Sequence, residues 1–396
     1  MFLAMNPMLY DAGTIFRATF VAVIPAIYSL IAPPKLHNYK PILVATTVII
    51  FWYLLGLVVN NQSYADFLFG AYGRGFGFLS LVGLFLLMFN SADNVIKNSK
   101  LLFFALYLTL SLAIVYGIFQ SFDLDFFDYK ANYTGIRLTL TNPNFSSAFL
   151  GILSVVPFGM FISGGKKYKA INLALFAITA ILIFQTDSTQ GFILSIIGCL
   201  LIVIFRYLPS YLYKPGYIIG ALISLLSLFI SFIFILLNLK IFSRLTSYLD
   251  LNLGITGRLQ HWFTGIKIWG DHPFFGVGIE NLGKYSGEYL SDNFLAEGYL
   301  NPDKTHNLVI DHFANGGIVV GILWIFLVAT ITWFSIRIQE SKIDSIDNAK
   351  KQILASIWIT YMLQTFISTD HLVLAVLGMI AAGAIIRINL EKNKKP

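Results

Sequence analysis

"KTHNLVIDHFANGGIVVGILWIF", Lys304 to Phe326, changes character half-way along. Its second half is apolar enough to enter lipid. Its first half carries Lys304, His306, Asn307, Asp311 and His312. Polar and ionisable groups at the edge of a membrane are costly and normally face an internal cavity. The stretch therefore predicts a membrane helix that starts at a polar site.

The rest of the chain has the same apolar character. Of 396 residues, 57% are hydrophobic and 12% charged, against about 25% charged in a soluble domain. The mean hydropathy is +0.74, and 36 phenylalanines suit lipid-facing and interfacial surfaces. This composition predicts an all-α polytopic membrane protein. A spanning helix needs about 20 mostly apolar residues, because no backbone group stays unpaired in lipid. Eleven segments qualify: 15–33, 41–59, 75–90, 101–120, 144–163, 169–186, 190–206, 216–238, 307–335, 351–369 and 371–388. No internal repeat and no separate soluble domain is visible, so 1–396 reads as a single transmembrane domain.

Charge sets the expected orientation. One set of connections holds most of the basic residues, from Lys35 and Lys40 through Lys166, Arg206 and Arg337 to Lys395. The short connections opposite hold Arg17, Arg74, Lys130 and Arg137. The positive-inside rule makes the first set cytoplasmic, with the N-terminus outside and the C-terminus inside. The formal charge of +7 is then mostly a topology signal, and no nucleic-acid partner is expected. Cys199 is the single cysteine, so no disulfide forms within the chain. The sequence opens without a basic n-region and small-residue cleavage site, so no removable signal peptide is expected.

The connection 239–305 is far longer than its neighbours. Long connections are usually functional or disordered, and this one, rich in tryptophan and phenylalanine, is expected to fold on the outer membrane surface. Within it, "TGRLQHWFTGIKIWGDHPFFGVGIENLG", Thr256 to Gly283, places Leu259, Trp262, Phe263, Ile266 and Trp269 at helical spacing. The expected element is a short interfacial helix, capped by Thr256 and stopped by Gly270 and Pro273. Its other face carries Arg258, His261 and Gly265. A guanidinium such as that of Arg258 matches phosphate oxygens and keeps its charge. A neutral imidazole such as that of His306 can take a proton from a hydroxyl at working pH. Asn307 would orient the ring or a substrate, and Gly316, Gly317 and Gly321 would allow close helix contact.

Three stretches together resemble the O-antigen ligase and O-antigen polymerase superfamily of bacterial membrane glycosyltransferases. They are "GRLQHWFTGIKIWGDHPFFGVGIENL" in the long loop, "HNLVIDHFANGGIVVG" entering the next helix, and "IRLTLTNPNFSSAFLGIL", Ile136 to Leu153. The resemblance implies a GT-C-like helical fold in the bacterial inner membrane, with its site facing the periplasm. It implies a donor glycan on undecaprenyl pyrophosphate and, as acceptor, the lipid A core or another glycan. No cofactor and no metal are implied. By motif, Arg258 would bind the pyrophosphate, His306 would activate the acceptor hydroxyl, and Arg137 would be a second phosphate contact. Asn142, Asn144, Gln190 and Asn307 are further candidates for substrate binding. The sequence departs from the family at "DSTQG", where Thr189 and Gln190 replace a Ser-Arg pair, and at Asn315, where an acidic residue is usual. Ligase and polymerase share donor chemistry, and both remain open.

Two rival readings stand beside this one. Asp123, Asp125 and Asp128 in "FDLDFFDYK" could hold a divalent metal at phosphates, or form a solvated acidic loop. A transporter would show internal repeats and midplane polar sites, whereas here the polar groups gather at one face. Asp370 and His371 read as a short outer turn, and His312 as a buried, satisfied histidine.

Overall fold

The computed structural model describes residues 14–94, 98–125, 135–163, 166–207, 251–289, 302–340 and 348–392. The predicted span 216–238, Arg244, Asp128, and the loop stretches 239–250 and 290–301 lie outside them. Among the described residues every regular element is helical. In chain order these are α1 (Thr14–Ile31), α2 (Lys40–Val59), α3 (Tyr64–Phe69), α4 (Phe78–Asn94), α5 (Ser99–Ser121), α6 (Pro143–Leu153) and α7 (Val155–Ser163). There follow α8 (Lys166–Phe184), α9 (Thr189–Tyr207), α10 (Leu251–Asp271), α11 (Leu282–Tyr289), α12 (Leu308–Arg337), α13 (Asn348–Ile367) and α14 (Leu372–Lys392).

Eight described helical stretches are long and apolar enough to cross a membrane: α1, α2, α5, α6 with α7, α8, α9, α12 and α14. Two other predicted spans form helices that fall short of that measure. The segment predicted at 75–90 becomes α4, at 17 residues. The segment predicted at 351–369 becomes α13, which carries buried Lys351, Gln352, Ser356, Thr360 and Gln364. Those groups face neighbouring helices instead of lipid, which is why its hydropathy is low. Helix α14 runs through the centre of the bundle, with 83% of its apolar window buried, against 22% for α1 at the edge. It packs on α4 and α13 through small residues. A Cβ at Gly383 would stand 2.1 Å from the Met88 carbonyl oxygen, so only glycine allows that approach.

Contacts between helix ends sort into two rims. At the first, the Arg17 guanidinium donates to Thr139 O, Ile136 N to Gln185 O at 3.0 Å, and Gln62 Nε2 to Ile279 O at 2.7 Å. At the second, Asp93 accepts from Lys35 N and, at 2.9 Å, from Tyr39 Oη. There too, Arg206 donates to Ser163 at 3.1 Å and Gln352 to Phe205 O at 3.3 Å. Consecutive spans alternate between the rims, as the hydropathy reading requires. Lys35, Lys40, Arg206, Lys351 and Arg387 all belong to the second.

Helix α12 is broken. Gly317 has φ 73° and ψ −170°, a conformation essentially restricted to glycine. The turn after α10 fills the break. Ile318 N donates to Pro273 O at 2.8 Å, Val277 N to Ala314 O at 2.9 Å and Gly278 N to Asn315 O at 2.9 Å. Backbone groups freed by the break are thus paired again by a loop, which lipid could not do. The expected role of Gly317 in helix packing is corrected accordingly: its missing side chain makes room for the Phe274 carbonyl.

Candidate functional site

The first rim carries the candidate site, and the local sequence explains its shape. Asn307 caps α12: its side-chain oxygen accepts from Val309 N and Ile310 N, both at 3.1 Å. Its Nδ2 donates to Phe366 O at 3.1 Å, tying the cap to the end of α13. Thr305 N donates to the Asp311 carboxylate at 2.8 Å. Between these anchors His306 is held at φ 59°, a left-handed conformation that non-glycine residues adopt mainly under constraint. Such strain concentrates at functional sites.

Helix α10 supplies the opposing wall. It starts at Leu251, so Thr256 is internal and does not cap it; the helical pattern simply continues upstream of the aromatic stripe. Leu259, Phe263 and Ile266 are exposed on its outer side, as an interfacial helix requires. Its inner side, Thr264, Gly265 and Ile268, is buried toward α12 and the preceding turn. Arg258 and His261 are three residues apart and so share a face. His261 lies against His306: Nδ1 to Nδ1 is 3.0 Å, and the ring centroids are 4.8 Å apart. Arg258 is half-buried, and among the described residues no carboxylate pairs with it. Burial lowers its pKa from the ordinary value, with no counter-charge to offset this. Burial also pushes His306 down to about 4, helped by His261, Arg258 and Arg74. His306 is therefore neutral at physiological pH, near a cation that has no carboxylate partner among the described residues.

This geometry coincides with a family match. Residues 174–325 fit the family model described as O-antigen ligase. That stretch of this many-helix protein is similar to the O-antigen ligase family. The matched stretch runs from α8 into α12 and contains Arg258, His261 and His306. No curated protein matches the chain.

Around these candidate residues stand partners whose contacts the sequence did not reveal. Arg74 grips Asp303 with two bonds, Nε at 2.6 Å and Nη2 at 2.9 Å, pinning the segment that leads to His306. Burial alone would raise the Asp303 pKa, but Arg74 holds it below the usual carboxylate range. Lys304 is buried and paired with Glu280. Burial favours loss of its proton, yet Glu280 and Asp311 keep its pKa above the ordinary value. Beneath lies a cavity of about 50 Å³, lined by Tyr53, Glu280, Lys304, Asp311, His312, Tyr361 and Asp370. His312 is only half satisfied, correcting the expected fully satisfied core histidine. Its Nδ1 meets Tyr53 Oη at 3.0 Å and its ring packs on Trp324, while Nε2 is buried without a partner among the described residues. Asp370 is more than a turn residue: it accepts from Tyr361 Oη at 2.7 Å, and burial raises its pKa to about 7.

The remaining predicted residues form a second group on the same rim. Asn142 caps α6, accepting from Asn144 N at 2.9 Å, and Asn144 accepts from Ser188 at 2.8 Å. Arg137 lies just before, its carbonyl accepting from Ser146. Gln190, at the start of α9, is buried with neither amide atom bonded among the described residues. Phe145 stacks on His371 at 4.9 Å, which joins this group to the turn that Asn307 also touches. Asp125 is engaged by Tyr116 at 2.5 Å and Gln120 at 2.8 Å, so its oxygens already serve to close the end of α5.

Proposed function

We propose that the chain transfers a glycan from a polyprenyl pyrophosphate carrier to a hydroxyl of an acceptor glycan, without a metal. The observation that carries this is the half-buried Arg258, without a carboxylate partner among the described residues, one helical turn from His261, which itself lies against a neutral His306. An anion completes such a site, and a lipid pyrophosphate at a membrane rim is the anion that fits both the family and the location.

Pyrophosphate is a good leaving group, so the reaction needs charge stabilisation more than protonation of the leaving oxygen. Arg258 neutralises the departing pyrophosphate, with Arg137 as a second contact. His306 takes the proton of the attacking hydroxyl as that oxygen bonds to the anomeric carbon and the carbon–phosphate-oxygen bond breaks. Attack opposite the leaving group inverts the anomeric configuration. Bound pyrophosphate also raises the affinity of His306 for a proton, since an opposite charge favours the imidazolium. Gln190 and Asn144 contact the donor sugar from α9 and α6. The basic second rim faces the cytoplasm and the site faces the periplasm, with the N-terminus outside and the C-terminus inside.

The favoured reaction is that of an O-antigen ligase acting on the lipid A core or a similar acceptor. Repeat-unit polymerisation is the alternative, supported by Thr189 and Gln190 standing where ligases place Ser-Arg. Purified protein in liposomes, given an undecaprenyl-pyrophosphate-linked glycan alone and then with lipid A core, separates the two. Product on the core supports the ligase, and longer lipid-linked chains without acceptor support the polymerase. Wild-type protein that transfers to no glycan acceptor while carrying the lipid across the bilayer would overturn the reading.

A further inference from the structure

We infer that His261 is a positioning residue for His306, fixing which ring nitrogen of His306 is free to take a proton. The inference rests on the proposed role of His306.

The two Nδ1 atoms are 3.0 Å apart. Two nitrogens at that distance share one hydrogen, so one ring donates and the other accepts. A neutral imidazole that accepts a proton at Nε2 must carry its own hydrogen on Nδ1. His306 therefore donates to His261 Nδ1, and His261 keeps its hydrogen on Nε2. The stacked rings, tilted by 30°, also stop His306 from turning away. The opposite arrangement would place the hydrogen of His306 on Nε2 and leave it unable to act.

A carboxylate would hold the tautomer as well, as in hydrolase triads. Here it would set a negative charge beside the place where an anionic donor docks. A neutral imidazole orients the base without repelling that donor. The charged groups that face the pair are Arg258 on α10, Arg74 from the α3–α4 connection and Asp303 on the approach to α12. Asp303 is already held by Arg74; the His306 ring also bonds the Lys304 backbone, and among the described residues His261 is the side chain in contact with it that accepts without adding charge.

The test combines ¹⁵N-histidine spectroscopy with transfer kinetics on full-length protein in detergent, using His261→Phe and His261→Asn. Wild-type His306 should report a hydrogen on Nδ1. His261→Phe keeps a flat ring but removes the acceptor, and should shift the His306 tautomer and lower kcat at least about 10-fold with an unchanged donor KM; a mis-set tautomer costs up to about 10⁴-fold in triads. His261→Asn restores an acceptor oxygen and should retain the tautomer and most of the rate. A wild-type His306 protonated at Nε2, or a His261→Phe protein with unchanged kcat, overturns the inference. If His306→Ala transfers normally, the base assignment fails instead, while the wild-type tautomer still reports whether His261 orients the ring.

Discussion

Replacing Gly317 by alanine tests whether the break in α12 organises the site. The added Cβ would lie 2.0 Å from Phe274 O and 2.3 Å from its carbonyl carbon, with φ at 73°. These are backbone atoms, so no side chain can swing aside. The conformation alone costs about 1–3 kcal/mol for a non-glycine residue. Relieving the clash displaces the turn 273–278. It then loses Ile318 N to Pro273 O, Val277 N to Ala314 O, Gly278 N to Asn315 O, and Trp52 Nε1 to Phe274 O at 3.0 Å. At about 1 kcal/mol each, and with the strain of the conformation, the total reaches roughly 5–7 kcal/mol, enough to unseat the turn. Gly270→Ala is the control: a Cβ there meets nothing within 4 Å, and alanine should be neutral or mildly stabilising in a helix. The assay is SDS-induced unfolding in mixed micelles followed by tryptophan fluorescence, alongside glycan transfer. Gly317→Ala should unfold at lower SDS, expose Trp52 and lose at least about 10-fold in transfer through displacement of Arg258 and His261. A Gly317→Ala protein as stable and active as wild type would mean that α12 is continuous and that the turn does not dock in it.

Three further outcomes follow from the charges. Lys304→Met leaves Glu280 and Asp311 buried without their cation and should destabilise the protein by about 3–5 kcal/mol, whereas Lys304→Met with Glu280→Gln should recover part of that; equal stability of the two variants would contradict the buried pair. Because burial and nearby positive charge hold the His306 pKa at about 4, kcat/KM should be flat from about pH 8 to about pH 5 and fall only as the ring protonates near 4, a profile that an apparent pKa near the reference value of about 6.5 would contradict. Burial lowers this pKa most, His261, Arg258 and Arg74 lower it further, and a backbone hydrogen bond with Lys304 opposes them. Asp303 is depressed, so its stabilising pair with Arg74 is present above a pH of about 3.9 and is lost as pH falls further; Asp303→Asn should remove that acid dependence and lower transfer several-fold with the fold intact, as read by circular dichroism.

Much of this was legible in the residues. The polar start of 304–326 forecast the site, because ionisable groups at a lipid edge need a reason to be there. The span limits of α2, α5, α9 and α12 followed from hydropathy, while Arg258 and His306 were singled out by their chemistry and by the family resemblance. The partners of those residues did not. Arg74 and Asp303 are 229 positions apart in the chain, and nothing local links them. His261 was visible on the Arg258 face of α10, but its contact with His306 depends on how α10 folds back on α12. The break at Gly317 read as ordinary small-residue packing, since "ANGGIVVG" carries no mark of the turn that fills it. Helix α13 was recognisable as a helix, while its buried glutamines and threonines hid that it packs among protein neighbours.

The most direct test of the whole account is the transfer rate of His306→Ala in liposomes at matched protein level, with undecaprenyl-pyrophosphate-linked glycan and lipid A core. General-base catalysis contributes about 10²–10⁴-fold, so transfer should fall by that factor while donor binding persists. Transfer within a few-fold of wild type would contradict the account at its centre.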